Sequence, residues 1–251
     1  MVPQHCADGS IRFVSRPRAL FIDLDDTLLD LSSDHDALVY TCEELSAQAG
    51  IDAAQLRAAN TEVWNTYWPT IESSWVLGLL EPLEIRQETW SRTLRVCGCT
   101  DASTLQLAVQ VHADTERKLY RAFDDVDDLL STAKSLGIGL AVVTNGNGAF
   151  QREKLRVLEI EDCFEAIVVS GELGIAKPDP WLFTTALQTF GLTPSEGWHV
   201  GDNPMTDVAG ARAAGMSAIW LNRTARSRAE QEPESHAEIR SLHELATLLR
   251  Q

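Results

Sequence analysis

The chain has 251 residues, of which 44% are hydrophobic and 23% charged, as is typical of a soluble globular protein with one large domain or two modest ones. Its 37 acidic and 21 basic residues give a formal net charge of −16, which argues against nucleic acid polymers and anionic membranes as partners but allows a small phosphorylated metabolite. Five cysteines without a Cys-x-x-Cys pair, and the lack of any apolar run near the ~20 residues of a membrane helix, favour a cytoplasmic protein with reduced thiols.

The first predicted strand ends in a cluster of carboxylates. Residues 19–22 are all apolar, as in a strand buried on both faces of a parallel sheet, and Asp23, Asp25 and Asp26 follow directly. Asp23 and Asp25 are two positions apart, so both side chains lie on one side of an extended chain. Carboxylates this close repel each other unless a cation or a shared proton neutralises them. The cluster therefore predicts a metal, a shared proton or both, with an acidic helix cap as the alternative.

Four helices are predicted next, without an intervening strand. Apolar residues three and four positions apart predict a first helix over residues 34–49 that ends at Gly50, and a second helix that ends at Pro69. Two more helices are predicted over residues 84–97 and 103–119. We expect these helices to form a separate helical unit.

From residue 125 onward, predicted helices and strands alternate. The predicted strands cover residues 138–143, 166–169, 198–202 and 217–221. This alternation predicts an α/β fold with a doubly wound parallel sheet and right-handed crossovers.

The spacing of the first two strands predicts an inserted domain. A βαβ unit needs about 30 residues, whereas Asp23 and Thr144 lie 121 positions apart (144 − 23). The additional residues form an insertion that begins directly after the carboxylate cluster. The predicted parts of the chain are an N-terminal tail at residues 1–17, an α/β core at residues 18–31 and 119–251, and a helical domain at residues 32–118.

Polar residues follow four successive strands of the predicted sheet. In strand order they are Asp23 and Asp25, then Thr144 and Asn145, then Lys177, then Asp202 and Asp207. The carboxyl ends of parallel strands meet at one edge of a sheet, where ligands bind. Each residue alone has a structural explanation, such as a helix cap or a solvated charge. Carboxylates, a hydroxyl and a lysine at one edge together favour phosphoryl transfer assisted by a metal ion.

The same residues carry a resemblance to a known family. The segments in question are DLDDTL at 23–28, VTNG at 143–146, AKP at 176–178 and VGDN at 200–203 with Asp207. In order and spacing they resemble the four motifs of the haloacid dehalogenase superfamily, and the similarity extends from about residue 18 over the rest of the chain. The resemblance implies a Rossmann-like core with an inserted α-helical cap of the C1 class. The second motif is similar to that of nucleotidase and sugar-phosphate phosphatase members.

The resemblance also implies a role for each motif residue. Asp23 corresponds to the nucleophile that forms an aspartyl-phosphate, and Asp25 to the acid that later becomes the base. Mg²⁺ is then bound by Asp23, the backbone carbonyl of Asp25 and Asp202, while Asp207 orients the metal-bound waters. The implied phosphate-binding residues are Thr144, Asn145 and Lys177.

The implied function is that of a Mg²⁺-dependent phosphatase, which hydrolyses a small phosphomonoester of the nucleoside monophosphate or sugar phosphate type. Dehalogenases of this superfamily lack the second aspartate of the first motif. Asp25 occupies that position here, which argues against cleavage of a carbon–halogen bond. Two alternatives stay open. One is a phosphomutase of the same superfamily, and the other is a phosphoacceptor module resembling response regulators.

The predicted helical domain is rich in aromatic residues. They are Trp64, Tyr67, Trp68, Trp75 and Trp90. Most aromatic residues at helical spacing belong to a hydrophobic core. The segment from Trp68 to Trp75 is predicted to lie between helices, which makes Trp75 a candidate for stacking on a base or sugar of the substrate.

Overall fold

The computed structural model describes residues 4–5, 11–12 and 16–251, the first two pairs as backbone only. Strand β1 (Gln4–His5) pairs with strand β2 (Ile11–Arg12) in an antiparallel arrangement. The predicted N-terminal tail, residues 1–17, otherwise lies mostly outside the described residues.

A six-stranded parallel sheet forms the centre of the described chain. Its strands are β3 (Ala19–Ile22), β4 (Gly139–Thr144), β5 (Ala166–Val169), β6 (Gly197–Gly201), β7 (Ser217–Leu221) and β8 (Ala237–Ile239). They lie in the order β5-β4-β3-β6-β7-β8 with parallel pairing throughout. This confirms the predicted α/β class. Strand β8 was not predicted, because three residues are too few to show a periodic pattern.

Helices occupy the connections between the strands. They are α1 (Ser32–Ala49), α2 (Ala53–Val76), α3 (Pro82–Val96), α4 (Ala102–Leu119), α5 (Val126–Ser135), α6 (Gly148–Val157), α7 (Ser170–Leu173), α8 (Pro180–Thr189), α9 (Ala209–Ala213) and α10 (Leu242–Arg250). Helices α1 to α4, here called the helical insertion, follow β3 and precede the rest of the sheet, as predicted. Across residues 16–251, no helix combines the length and the apolar character needed to cross a membrane.

The two faces of the sheet carry separate hydrophobic clusters. Successive residues of β3 alternate between them, with Leu20 and Ile22 in one cluster and Ala19 and Phe21 in the other. Helices α5 and α10 cover the first face, and α8 and α9 cover the second. Because β3 is fully buried between these layers, its carboxyl end is held in a fixed position at the sheet edge.

The helical insertion has a hydrophobic cluster of its own, which includes Cys42, Leu56 and Trp90. A segment that buries its own core can form a structural unit. We therefore propose that the chain divides as the sequence predicts, into a core at residues 18–31 and 119–251 and a helical cap at residues 32–118.

Helix α2 corrects the prediction that the second helix ends at Pro69. Its hydrogen-bonded path continues through Pro69 to Val76. Proline removes one internal hydrogen bond of a helix, but ring contacts extend across this position. Trp68 stacks on Trp64 with centroids 5.0 Å apart, and its ring lies 6.5 Å from that of Trp75 in an edge contact. Trp75 therefore lies in the last turn of α2, and its predicted place between helices is wrong.

A partly buried histidine makes the stability of the helical insertion depend on pH. The indole N–H of Trp90 donates to Nδ1 of His112 over 2.8 Å. Burial, and then the charge of Arg86, lower the pKa of His112 to about 4. The unfolded chain binds this proton near pH 6.5. The stability that neutral His112 contributes is therefore complete above about pH 6.5 and is lost as the pH falls towards 4.

We expect wild-type protein to lose about 1 kcal/mol more unfolding free energy than His112→Gln between about pH 7.5 and about pH 5.5. Glutamine keeps an acceptor for Trp90 but does not titrate. Urea unfolding at the two pH values measures the difference. Equal losses in both proteins would show that His112 is not held neutral by its surroundings.

Candidate active site

Asp23 lies directly after β3, at the carboxyl edge of the central strand, and is 6% exposed. Its backbone N–H donates to the carbonyl of Val200 over 3.0 Å, which continues the pairing of β3 with β6. The chain then turns sharply, and the carbonyl of Leu24 accepts hydrogen bonds from the N–H groups four and five positions further on. Asp26 has a φ of 55°, a left-handed conformation that aspartate tolerates better than most residues. Strand and turn together fix Asp23 and Asp25 at the sheet edge.

Lys177 bridges two of the predicted carboxylates. Its Nζ lies 2.5 Å from Oδ1 of Asp23 and 2.7 Å from Oδ1 of Asp207, and the residue is 6% exposed. Burial alone would lower the pKa of Lys177, but Asp207 and Asp23 raise it above its usual range. Lys177 is therefore a permanent buried cation between the two carboxylates.

Three aspartates lie close enough together to hold a metal ion. Ligand atoms of Asp23, Asp202 and Asp207 all lie within 4.8 Å of one another. Burial, and then the charge of Asp207, raise the pKa of Asp202 to about 7. Burial also raises the pKa of Asp23, against the opposing effect of Lys177. Three carboxylates against one lysine leave the cluster short of positive charge, and its oxygen donors fit a hard divalent cation.

His199 supports Asp207 from inside the sheet. It is fully buried on β6, and its Nε2 lies 2.9 Å from Oδ1 of Asp207. Lys177 and His199 together hold the pKa of Asp207 far below its usual range, although burial opposes them. Oδ1 of Asp207 thus contacts two side chains. The indole N–H of Trp220 donates to the backbone carbonyl of Asp202, and no described side chain donates to the Asp202 carboxylate.

The side chain of Asp25 binds helix α6. Its Oδ1 accepts from Nζ of Lys154 over 2.7 Å, and its Oδ2 accepts from Nε2 of Gln151 over 2.9 Å. Gln151 also donates to Oγ1 of Thr144 over 2.7 Å. Gln151 is fully buried and Lys154 is 5% exposed. Gln151 therefore links the predicted acid to the predicted phosphate-binding hydroxyl, and Lys154 pairs with the acid alone.

Sequence reasoning did not select Gln151, Lys154 or His199. Gln151 and Lys154 are three positions apart, which places both on one face of a helix. The N-cap of that helix is Asn147, whose side chain accepts from the N–H of Phe150. The sequence shows only that Gln151 and Lys154 share one face near the start of a helix. It does not show that this face packs against Asp25.

Asn145 connects two of the motifs. Its Oδ1 accepts from the backbone N–H of Lys177 over 2.8 Å, and its Nδ2 donates to the carbonyl of Lys177 over 3.2 Å. Thr144 ends β4 and is 1% exposed. The structure thus places all seven predicted site residues at the carboxyl edge of the sheet, with the side chain of Asn145 bound to the Lys177 backbone.

The end of α2 is joined to this edge through close glycine contacts. Ser170 accepts from the N–H of Gly146 over 2.9 Å and donates to the carbonyl of Val76. A Cβ atom on Gly171 would lie 2.4 Å from the carbonyl oxygen of Gly146 and 2.8 Å from Cα of Gly78. Only a residue without a side chain allows the two backbones to approach this closely.

A cavity of about 490 Å³ lies between the helical insertion and the sheet edge. Asp25 and Lys154 line its end at the sheet edge, and four tryptophans line it elsewhere, Trp64, Trp68, Trp75 and Trp90. The first three contact one another in sequence and form an aromatic wall. Asp25 lies two positions after Asp23, so the cavity adjoins the turn that follows the first of the three clustered aspartates.

Comparison with known proteins identifies the family. The family model described as haloacid dehalogenase-like hydrolase matches residues 17–215. The chain belongs to this hydrolase family. The phosphoserine phosphatase of Thermus thermophilus is 33% identical to this hydrolase over 89% of the chain and 94% of the relative. The N-acylneuraminate-9-phosphatase of Mus musculus is 27% identical over 94% of the chain and 95% of the relative.

Solved structures show the same fold. The magnesium-bound HAD-hydrolase YfnB from Bacillus subtilis superposes on this hydrolase with a TM-score of 0.68 at 24% identity, over 94% of the chain and all of YfnB. The helical insertion after the first motif is consistent with a cap of the C1 class. The relatives confirm the prediction of a phosphatase-type enzyme.

Proposed function

We propose that the protein is a Mg²⁺-dependent phosphatase that hydrolyses a small phosphomonoester through an aspartyl-phosphate on Asp23. The observation that carries this proposal is the meeting of Asp23, Lys177 and Asp202 at one sheet edge, beside a cavity that Asp25 lines. Full-length similarity to phosphatases supports it.

The proposed reaction has two steps. A carboxylate oxygen of Asp23 attacks phosphorus, the bond from phosphorus to the alcohol oxygen breaks, and Asp25 gives a proton to the departing oxygen. In the second step Asp25 takes a proton from a water molecule, and that water attacks the phosphorus of the aspartyl-phosphate to release phosphate. Lys154 and Gln151 hold the Asp25 carboxylate in place through both steps.

The remaining residues offset negative charge. When bound, Mg²⁺ supplies positive charge beside the transferring oxygens. Asp23, Asp202 and the backbone carbonyl of Asp25 would hold it, and Asp207 would orient its waters. We assign the phosphate oxygens to Lys177, the hydroxyl of Thr144 and the backbone at Asn145, since the Asn145 side chain is already bound.

The substrate we expect is of the nucleoside monophosphate or sugar phosphate type. A cavity of about 490 Å³ has room for such a leaving group, and its tryptophans offer a face for a base or a sugar ring. The relatives include a phosphatase named for an acylated sugar acid, N-acylneuraminate, and another named for glyceraldehyde 3-phosphate.

Phosphate release from a panel of phosphorylated metabolites tests the proposal. We expect release to require Mg²⁺, to stop when EDTA removes the metal and to return when Mg²⁺ is added back in excess. Full activity of the metal-free protein would contradict the assigned metal site. An isomerised phosphorylated product without free phosphate would identify a phosphomutase.

Lys154→Met should lower kcat roughly ten- to a hundredfold while KM changes less. Methionine keeps much of the side-chain volume but leaves Oδ1 of Asp25 without its donor. Lys134→Met, an exposed change on α5, serves as the control for lost charge. We expect Lys154→Arg to restore part of the rate. An unchanged kcat in Lys154→Met would exclude a positioning role for Lys154.

A further inference from the structure

Among the Asp, Glu, Arg and Lys side chains that line the cavity, carboxylates outnumber cations. Lys154 is paired with Asp25, and Arg86 is paired with Glu116, a contact that is mostly shielded from solvent. Asp34, in the first turn of α1, also lines the cavity. The Arg and Lys side chains of the lining therefore each have a carboxylate partner, and one carboxylate is left over.

Asp34 also lacks a hydrogen-bond donor for one of its carboxylate oxygens. Its Oδ1 is buried and receives no hydrogen bond from any described residue. Burial, and then the charge of Glu116, raise the pKa of Asp34 to about 7. A carboxylate oxygen that is buried without a donor costs free energy, and a cation that enters the cavity offsets that cost.

The aromatic wall belongs to the same cavity as Asp34. Trp64 and Trp68 stack on each other, and Trp75 meets Trp68 edge to face. Trp75 also lies near the phosphate end, since its Nε1 would be 3.5 Å from a Cβ atom on Gly146. Indole faces attract cations, and aromatic walls of this kind bind ammonium groups.

We infer that the leaving alcohol of the substrate carries a positively charged nitrogen and no carboxylate, as in phosphomonoesters of amino alcohols and amino sugars. The inference rests on the proposed phosphatase function. It narrows the expected sugar phosphates to amino sugar phosphates and extends the substrate class to amino alcohols. The ammonium group pairs with Asp34 and lies against the indoles. A carboxylate on the leaving group would meet a lysine and an arginine that already have partners.

Matched pairs of esters test the inference in the intact enzyme. Phosphocholine and 3,3-dimethylbutyl phosphate have nearly the same shape, but only phosphocholine carries the positive nitrogen. Glucosamine 6-phosphate and glucose 6-phosphate form a second pair. We expect kcat/KM for the cationic member of a pair to exceed that of the neutral member roughly tenfold or more.

Asp34→Asn should bring the ratio of the two kcat/KM values close to one. Asp36→Asn is the matched control, because Asp36 is exposed two positions further along α1, and we expect it to keep the wild-type ratio. The wild-type ratio stands as a test even if Asp34→Asn does not fold.

The outcomes separate the inference from the proposed function. Equal hydrolysis of both members of each pair, or a preference for O-phosphoserine over phosphoethanolamine, overturns the inference and leaves the phosphatase intact. A ratio that persists in Asp34→Asn overturns the assignment to Asp34. No phosphate release from any ester, p-nitrophenyl phosphate included, overturns the proposed function and the inference with it.

Discussion

Asp23→Asn should reduce phosphate release by more than about two decades, equivalent to ~2.7 kcal/mol of barrier. The amide of asparagine occupies the same space as the carboxylate but is a poor nucleophile. The substitution also removes one negative charge from the aspartate cluster. The loss should appear in kcat for every accepted ester, because the first chemical step is common to all of them.

The matched control for this variant is Asp127→Asn, the same change at an exposed position of α5, which should keep full activity. Circular dichroism checks that Asp23→Asn is folded. Turnover above one percent of wild type, roughly the two decades set above, would exclude Asp23 as the nucleophile.

Lys177→Met should impair both stability and activity. The ammonium group is the donor that Asp23 and Asp207 share, so methionine leaves two buried carboxylates without their cation. Breaking a buried pair in this way costs about 3–5 kcal/mol. We expect a loss of that size in urea unfolding without added metal, together with a fall in kcat of roughly a hundredfold or more.

Lys118→Met, an exposed change on α4, controls for the loss of one lysine in Lys177→Met. It should change the unfolding free energy by less than about 0.5 kcal/mol. A Lys177→Met protein with wild-type stability would mean that the two carboxylates do not depend on this cation.

Much of the fold could be predicted because its signals are local. The apolar run 19–22 and the abrupt change at Asp23 mark a buried strand and its end, and neither depends on distant residues. Pro69 shows the limit of local signals. A proline favours a helix end, but the ring contact of Trp68 with Trp75 spans it, and that contact is visible only in the folded chain.

The site was predictable where strand ends alone fix a residue. Asp23 and Asp202 follow strands directly and Thr144 is the last residue of one, so the topology brings them to one edge. Gln151 and Lys154 lie on a helix, and their contacts with Asp25 depend on how α6 packs against the sheet. Whether Asp34 has a partner depends on how all the charged side chains that line the cavity are paired. Residue spacing in the sequence does not show that pairing.

Asp25→Asn provides the most direct measurement of the central claim, that Asp23 takes the phosphoryl group. The ester to use is p-nitrophenyl phosphate, because its leaving group departs as a stable anion and needs no proton from Asp25. With it this variant should form the phosphoenzyme and then stall, because the water of the second step lacks its base. Rapid acid quenching with a hydrolysed substrate, followed by peptide mass spectrometry, locates the group. We predict one added phosphoryl group on the side chain of Asp23. A phosphoryl group on any other residue, or a variant that turns over without a trapped phosphoenzyme, would contradict the account.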